Sequence, residues 1–347
     1  MFAVLFLTSA LASTSSLKTR LDQAILPQIG KTHMGAIVGV LENQKEIFYG
    51  YGKISEQSSQ KPNSKTIFRI GSISKTFVTL VFLEAVRKGY LSQSEELGEI
   101  RKEWKGQKLS HIRLFELATH RSGLPRYPCN MRSLDTPNPF LNYTEKSLIL
   151  SVRDESIKSK NCKIASRPTS EIAYSNWGMS LLEVALFSKL SKSFAELLEE
   201  WVTIPLEMPD TKIALSGSEK KRLAPGHLQD LKEVGLPVRM TMFGSGGILS
   251  TAHDLMNYGK ALLDPEKTPL KKSLTEVLKL QYRSGNLGVA YGWIITPQKN
   301  FLVRGYTVGY TGLFKGYPEK KKLAFYLSNS QDFIKCFVPA VEGEKCN

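Results

Sequence analysis

The most constraining feature of the sequence is the order in which strand-like and helix-like patterns follow one another. Residues 35–41 and 45–52 alternate or run apolar on either side of Glu42-Asn43-Gln44, which predicts an early hairpin. Further strand patterns cover 288–295, 301–306 and 322–328, whereas the stretch from about 76 to 280 has mainly helical spacing. Strands at both ends that enclose a helical middle predict an α+β fold. One antiparallel sheet would combine the N- and C-terminal segments, flanked by helices.

This arrangement predicts a single domain over residues 13–347 with two lobes. The sheet lobe would take about 30–75 and 285–347, and an inserted, mainly helical lobe would cover about 76–284. Helical spacing also covers 17–29, and a last helix is expected from Asp332. A substrate site is expected in the crevice between the lobes.

The first twelve residues predict a signal peptide. They are apolar and end in the small-x-small site Ala10-Leu11-Ala12, although the usual basic residues are missing before Lys18. The alternative is a buried N-terminal strand, which this pattern favours less. We therefore expect a periplasmic or secreted protein. No apolar run approaches the ~20 residues of a membrane-spanning helix, so none is expected.

Four cysteines in an exported chain permit two disulfides in three pairings. We favour Cys129–Cys162 and Cys336–Cys346, because each pair closes a loop inside one region. The sequence contains no C-x-x-C and no H-E-x-x-H, so neither a metal nor another cofactor is expected.

The chain is basic, with a formal net charge of +15, but its 47 Lys and Arg residues are spread along the sequence. No nucleic-acid-binding motif accompanies them, so a nucleic-acid partner is not expected. A solvated basic surface is the default explanation. For an exported protein, electrostatic association with the anionic cell envelope is the functional alternative.

The heptapeptide GSISKTF, residues 71–77, carries a Ser-x-x-Lys at a predicted helix start. The tetrapeptide alone is uninformative because it occurs four times, at Ser15/Lys18, Ser58/Lys61, Ser72/Lys75 and Ser218/Lys221. At a helix start, Ser72 and Lys75 would share one face, and the Ser72 amide would favour a developing oxyanion. A buried Lys75 could then accept the hydroxyl proton. The alternative is a serine that caps the helix and a lysine in solvent.

Two later segments carry polar groups suited to substrate binding. Tyr174-Ser175-Asn176 is the only Tyr-x-Asn in the chain and offers a phenol and an amide from one loop. The late strand from Arg304 to Gly312 is rich in Gly and hydroxyl groups, which permits close approach of a substrate backbone. Taken singly, these segments are better explained by a packed loop tyrosine with a helix-capping Asn and by a twisted or bulged strand.

Together, the three segments resemble the motifs of the penicillin-recognising serine hydrolases, which include class C β-lactamases, DD-peptidases and related esterases. The similarity spans about residues 30–330. It is carried by FRIGSISKTF (68–77), LFELATHRSGLP (114–125), YSNWGMSLLE (174–183), GSGGILSTAHDL (244–255) and YGW (291–293). The segment LPRYPCNMRSLDTPNPFLNYT (124–144) is similar to the carboxypeptidase/endopeptidase branch in particular.

The resemblance implies a role for each matched residue. Ser72 would be the acylated nucleophile, Lys75 its proton acceptor and Tyr174 the second acid/base. Asn176 would hold Lys75 and the substrate amide. The amide of Ser72 would form half of the oxyanion hole, and the residue after the third motif would supply the other half.

The third motif departs from the family, whose strand usually carries Lys/His-Thr-Gly. The favoured alignment makes the triad Tyr306-Thr307-Val308 and the second oxyanion amide that of Gly309. A second alignment, on Tyr310-Thr311-Gly312, leaves too few residues for the next strand. A tyrosine therefore replaces the family's cation, and Arg304, two residues earlier on the same strand face, is the candidate substitute for binding a carboxylate.

These observations predict an exported serine hydrolase that forms an acyl-Ser72 intermediate. Its expected substrate is a peptidoglycan-type peptide amide or a β-lactam. The altered third motif leaves two alternatives: a carboxylesterase-like hydrolase, and a non-catalytic envelope-binding protein that keeps the fold.

Overall fold

The early hairpin and the late strands form one antiparallel sheet of eight strands, in the order β2-β1-β12-β11-β10-β9-β8-β7. This is the predicted α+β arrangement. The computed structural model describes residues 15–131, 143–153, 162–165, 172–235 and 243–346. The predicted signal peptide lies outside these residues.

The strands are Gly35–Glu42 (β1), Lys45–Gly52 (β2), Ile67–Arg69 (β3), Gly226–His227 (β4), Glu233–Val234 (β5), Leu249–Thr251 (β6), Tyr282–Ser284 (β7), Leu287–Val289 (β8), Ile294–Ile295 (β9), Phe301–Thr307 (β10), Tyr310–Tyr317 (β11) and Lys322–Ser328 (β12). The α-helices are Leu17–Ile25 (α1), Ser74–Arg87 (α2), Leu97–Ile100 (α3), Leu114–Ala118 (α4), Glu145–Leu150 (α5), Asn176–Leu190 (α6), Phe194–Leu198 (α7), Gly217–Lys220 (α8), Phe243–Gly246 (α9), Ala252–Leu263 (α10), Lys271–Val277 (α11) and Phe337–Glu342 (α12). Within the described ranges, each helix falls short of the length and apolarity that crossing a bilayer requires.

The predicted N-terminal hairpin is confirmed. Glu42 pairs with Lys45, so Asn43 and Gln44 alone make the turn, with φ values of 51° and 62°. Positive φ at both turn residues is the type I′ geometry, whose twist matches that of the flanking strands, and Asn tolerates it well.

The sheet separates two apolar layers because successive side chains of a strand point to opposite faces. Ile37, Phe314 and Phe325 face a core that includes α2 and α10. Their neighbours Val38 and Leu313 face a second core, with α1 and α12. The sheet is therefore covered by helices on both faces.

Three expectations about the late segments are corrected. Residues 288–295 form two short strands, β8 and β9, separated by a turn in which Gly292 has a φ of +75°. The segment from Arg304 to Gly312, expected as one strand, is a hairpin in which β10 ends at Thr307 and β11 begins at Tyr310. Apolar spacing does not indicate the rest of β11, because Gly312, Lys315 and Gly316 interrupt it. Lys315 is nevertheless buried and pairs with Glu342 at 2.5 Å. The last helix begins at Phe337 rather than near Asp332.

Both favoured cysteine pairs form disulfides. The Cα atoms of Cys129 and Cys162 are 5.3 Å apart, and those of Cys336 and Cys346 are 5.2 Å apart. The first bond ties residues 162–165 to the segment that follows α4, and the second joins the residue before α12 to the C-terminal segment after it.

Candidate active site

Ser72 lies in a 3-10 turn, Gly71–Ile73, that leads directly into α2. Gly71 has a φ of +54°, and a Cβ added there would lie 2.5 Å from the backbone nitrogen of Tyr306. A glycine is therefore required, both for the backbone conformation and for the close approach of β10. The serine is not a cap, because neither the 3-10 turn nor α2 has a side-chain cap hydrogen bond.

Lys75 is buried, with 1% of its surface exposed, so the alternative of a lysine in solvent is wrong. Its Nζ atom donates to Ser72 Oγ at 3.1 Å and to the carbonyl of Ser245 in α9. Burial lowers the pKa of Lys75, since the charged form loses its hydration, while the nearby phenol of Tyr174 opposes the shift. A lysine in this setting can take a proton from Ser72.

Tyr174 approaches the same oxygen from the loop before α6. Its hydroxyl donates to Ser72 Oγ at 2.7 Å, and Lys75 Nζ lies 4.9 Å from the centre of its ring. Burial acts to raise the Tyr174 pKa, but the charge of Lys75 and hydrogen bonds with Lys75 and Ser72 hold it below its ordinary value. Two proton-transfer groups thus meet at Ser72 Oγ.

His120 orders the loop that carries Tyr174. Its ring centre lies 4.7 Å from that of Tyr174, its Nδ1 atom accepts from the Ser175 amide at 3.2 Å, and its carbonyl accepts from the Ala173 amide at 2.9 Å. Burial lowers the pKa of His120 to about 3, so the imidazole is neutral. His120 therefore positions Tyr174 without adding charge.

Asn176 is at the first position of α6, with 7% of its surface exposed. Its Oδ1 atom is buried and has no hydrogen-bond partner among the residues that the structure describes. The expectation that Asn176 holds Lys75 is therefore wrong for this structure, in which Ser245 accepts from Lys75 instead. The free amide oxygen remains available to a donor on a bound substrate.

The position expected for the second oxyanion amide is also corrected. Gly309, with a φ of +78°, forms the β10–β11 turn with Val308, and its carbonyl accepts from the His227 amide at 3.1 Å. A Cβ on Gly309 would meet Gly226 and Val234, not the Ser72 segment.

Tyr306, rather than Gly309, brings its backbone amide next to Gly71, the residue before Ser72. Thr307 and Tyr310 close the hairpin as a hydrogen-bonded pair, so the alternate residue Tyr306 directs its N–H away from β11. On that side β9 pairs only with Phe301 and Leu302, and Gly71 packs against the Tyr306 backbone in the remaining gap.

The side chains of Arg304 and Tyr306 share the exposed face of β10, as predicted. Both lie near the Phe333 ring: the Arg304 guanidinium at 5.9 Å and the Tyr306 ring at 6.1 Å. The Tyr306 hydroxyl also accepts from Gln331 Nε2 at 2.7 Å. Thr307 ends the strand and points to the opposite face. Tyr310 and Thr311 of the rejected alignment lie on β11.

Sequence reasoning missed three contributors to this site: His120, Ser245 and Glu183. All three lie in segments that carry the resemblance, but a backbone carbonyl acceptor such as that of Ser245 leaves no residue-type signal. Glu183 is buried on α6 and accepts from the Gly244 amide at 2.8 Å, which fixes α9 beside Lys75. Burial raises its pKa to about 8, so it is mainly protonated at neutral pH. Among the described residues, no group of His, Cys, Asp and Glu is placed to hold a metal ion.

Comparisons with known proteins agree with this geometry. The family model described as Beta-lactamase matches residues 21–340. A Beta-lactamase of Providencia stuartii is 28% identical over 73% of this chain and 63% of its own length. The D-alanyl-D-alanine-carboxypeptidase/endopeptidase AmpH of Escherichia coli (strain K12) is 26% identical over 68% of this chain and 59% of its own length. The match thus spans less than two thirds of either relative.

A solved class C β-lactamase shares the fold, with a TM-score of 0.80 over 96% of this chain and 97% of that one, at 22% identity. The fold, the family match and the convergence of Lys75 and Tyr174 on Ser72 lead to one assignment. The chain belongs to the Beta-lactamase family of serine hydrolases.

Proposed function

We propose that this protein is an exported hydrolase that acts through an acyl-Ser72 intermediate. One observation carries the proposal: Ser72 Oγ lies 3.1 Å from Lys75 Nζ and 2.7 Å from the Tyr174 hydroxyl. A serine hydroxyl becomes a useful nucleophile when an adjacent base can take its proton, and both neighbours have lowered pKa values.

In acylation, Ser72 Oγ forms a bond to the substrate carbonyl carbon and its proton passes to the Lys75–Tyr174 pair. The carbonyl oxygen becomes an oxyanion, which the amides of Ser72 and Tyr306 receive. The carbon–nitrogen bond then breaks, and Tyr174 gives a proton to the departing amine. In deacylation, water loses a proton to the same pair and attacks the acyl-enzyme, and Ser72 recovers its proton.

The substrate class that we favour is a peptidoglycan-type peptide amide or a β-lactam. The printed names of the relatives support both: a Beta-lactamase and a D-alanyl-D-alanine-carboxypeptidase/endopeptidase. Arg304, exposed beside Tyr306 on β10, is the proposed contact for a substrate carboxylate, and Asn176 Oδ1 is the proposed acceptor for a substrate amide. Tyr306 and Phe333 would add an aromatic surface.

Two alternatives rest on the altered third motif. A carboxylesterase would follow if the missing cation excludes carboxylated substrates. A non-catalytic envelope-binding protein would follow if the tyrosine marks a lost site. The intact contacts at Ser72 count against the second alternative.

We also propose export to the periplasm or the medium, which two disulfides and the apolar N-terminal residues support. A net charge of +15 supports association of the protein with the anionic envelope.

A hydrolysis panel tests the proposal. It compares nitrocefin, D-Ala-D-Ala peptides, purified muropeptides and short p-nitrophenyl esters, with Ser72→Ala as the control. We expect at least one class to be hydrolysed and Ser72→Ala to lose about three or more orders of magnitude in rate. Mass spectrometry after a fluorescent penicillin or a fluorophosphonate should locate the adduct on Ser72. No turnover and no adduct with either probe would refute the proposal.

A further inference from the structure

Strand β10 lacks the cation that the family usually places beside its nucleophile. Gly305 and the backbone of Tyr306 lie against Ile70 and Gly71, just before Ser72, and neither carries a charge there. The charged residue of this strand, Arg304, is on its exposed face near Phe333. Arg304 can therefore serve a substrate carboxylate, but the strand brings no cation to the Lys75–Tyr174 pair.

Arg126 brings a cation to Tyr174 from a different element, the segment between α4 and α5. Its guanidinium carbon lies 5.3 Å from the centre of the Tyr174 ring and 5.7 Å from that of Tyr127. Its Nε atom donates to the Tyr127 hydroxyl at 3.4 Å. The side chain is exposed, so the charge sits at the mouth of the site rather than in the core.

Four side chains face Tyr174 among the described residues. Ser72 and Lys75 come from the start of α2, His120 follows α4, and Arg126 lies six residues later. Ser72 carries no charge, and His120 is neutral because of its burial. Lys75 and Arg126 are thus the two groups that can act on Tyr174 as cations.

We propose that Arg126 is a positioning residue that stabilises the deprotonated state of the Lys75–Tyr174 pair and so replaces the cation missing from the third motif. The inference rests on the proposed function for its catalytic meaning, but the electrostatic contact exists independently of turnover. Arg126 acts on the reaction through Tyr174 and Lys75, without contacting Ser72.

The direction of the effect follows from charge alone. A fixed positive charge disfavours an added proton on either member of the pair, and Arg126 lowers the pKa of both Tyr174 and Lys75. Removing that charge raises the proton affinity of the pair, so the base becomes available only at higher pH. Because Arg126 is exposed, added salt should weaken the effect.

The backbone at Arg126 is fixed separately from its side chain. Its carbonyl accepts from the amides of Asn176 at 2.9 Å and Trp177 at 3.2 Å, and the Pro125 carbonyl accepts from Ser175 Oγ at 2.7 Å. A substitution of the Arg126 side chain keeps these bonds, so the loop should retain its conformation.

The first experiment measures the titration of Tyr174 directly. Protein labelled with ¹³C at tyrosine Cζ is titrated by NMR, and the Tyr174 signal is identified as the one lost in Tyr174→Phe. We expect Arg126→Gln to shift the Tyr174 midpoint to higher pH, more at low salt than at high salt. Arg126→Lys, which keeps the charge, should restore most of the wild-type midpoint.

The matched control is Arg101→Gln, which also removes an arginine that lies over an aromatic ring, Trp104 at 5.8 Å, away from this site. It should leave the midpoint unchanged. Circular dichroism establishes that each variant folds, and Arg126→Met replaces Arg126→Gln if that variant does not.

The second experiment uses the substrate that the hydrolysis panel identifies. At pH values on the acidic limb of the profile, kcat/KM of Arg126→Gln should be about three- to tenfold lower than that of wild type. At pH values above this limb, the two kcat/KM values should agree within about twofold. An unchanged Tyr174 midpoint in Arg126→Gln would overturn the inference. The inference would also be overturned if the acidic limb of the kcat/KM profile were unchanged in Arg126→Gln while KM for carboxylated substrates rose. That result would make Arg126 a substrate contact. A shifted midpoint in a protein without turnover would refute the proposed function alone.

Discussion

Burial of a single lysine distinguishes the functional Ser-x-x-Lys from its three copies. Lys18, Lys61 and Lys221 are exposed, and Lys18 pairs with Asp22. Lys75 is enclosed, and it donates hydrogen bonds to Ser72 Oγ and the Ser245 carbonyl. Because desolvation disfavours the ammonium form, burial lowers the pKa of Lys75 and gives it the character of a base. Whether a lysine of a Ser-x-x-Lys pattern can act as a base therefore depends on its surroundings more than on the residue type.

Gly71 is the residue whose substitution, compared with that of a second glycine, should distinguish an effect on the nucleophile from an effect on stability. Gly71→Ala strains a backbone with φ of +54° and drives a Cβ into the Tyr306 backbone. We expect a loss of about 1–3 kcal/mol in the free energy of unfolding. We also expect fluorophosphonate labelling of Ser72 to be at least about tenfold slower, because β10 must move away from the nucleophile.

The matched control is Gly89→Ala, just after α2. Gly89 also has a positive φ, +79°, but no atom lies within 4 Å of the added Cβ. Gly89→Ala should lose about 1 kcal/mol in the free energy of unfolding and keep the wild-type rate of fluorophosphonate labelling at Ser72. Equal labelling rates in the two variants would show that the Gly71–Tyr306 contact does not set the geometry of the nucleophile.

At the level of elements, the site depends on how α6 holds α9 beside α2. Glu183 on α6 accepts from the Gly244 amide of α9, and the next carbonyl, that of Ser245, accepts from Lys75. A chain of two hydrogen bonds therefore connects a buried carboxyl group to the lysine. Proton binding at Glu183 should influence the stability of this packing.

Glu183→Gln tests this arrangement through pH. Burial raises the Glu183 pKa from 4.5 to about 8, so the folded protein holds a proton that the unfolded chain has lost between these values. The free energy of unfolding therefore falls as pH rises from about 5 to 8, by roughly 2–4 kcal/mol through this group. Gln keeps an acceptor for the Gly244 amide but cannot ionise. The free energy of unfolding of the variant should therefore not show this decrease with pH.

Urea unfolding at pH 5, 6.5 and 8 measures the difference between Glu183→Gln and wild type. The free energy of unfolding of Glu183→Gln, relative to that of wild type, should increase steadily toward pH 8. Glu200→Gln, an exposed carboxylate paired with Lys192, serves as a control that should show no such gain. A difference independent of pH would mean that Glu183 is already ionised in the folded protein.

At the scale of the molecule, the sequence predicts the sheet and the nucleophile better than the third motif. Periodicity identifies β1, β2, β10 and β12 because their apolar residues alternate clearly. It misses β11, in which a buried lysine relies on Glu342, a partner 27 residues away. Such long-range pairing leaves no local signal.

The same limit applies to the site. Ser72, Lys75 and Tyr174 could be predicted because each occurs in a motif with the right local structure. The second oxyanion amide could not, since a backbone N–H is presented by strand register and not by residue type. Here the register places Tyr306, and not Gly309, beside Gly71, the residue before Ser72. The contributions of His120 and Arg126 likewise depend on the way two loops meet.

The two disulfides should contribute differently to the whole molecule. Cys129–Cys162 spans 33 residues and Cys336–Cys346 spans 10, so removing them should cost about 4 and about 3 kcal/mol through loop entropy. Only the first is attached close to Arg126, three residues after it at Cys129, and ties that segment to residues 162–165. The second spans α12, on the other side of the sheet.

We therefore expect Cys129→Ser/Cys162→Ser to slow fluorophosphonate labelling of Ser72 by about three- to tenfold even in the folded protein, because Tyr174 loses part of its support. Cys336→Ser/Cys346→Ser should label at the wild-type rate despite its lower stability. Urea unfolding and labelling kinetics, both below the unfolding transition, separate the two effects. Equal labelling rates in the two double variants would mean that the hydrogen bonds of His120 and Arg126 hold the Tyr174 loop without the disulfide.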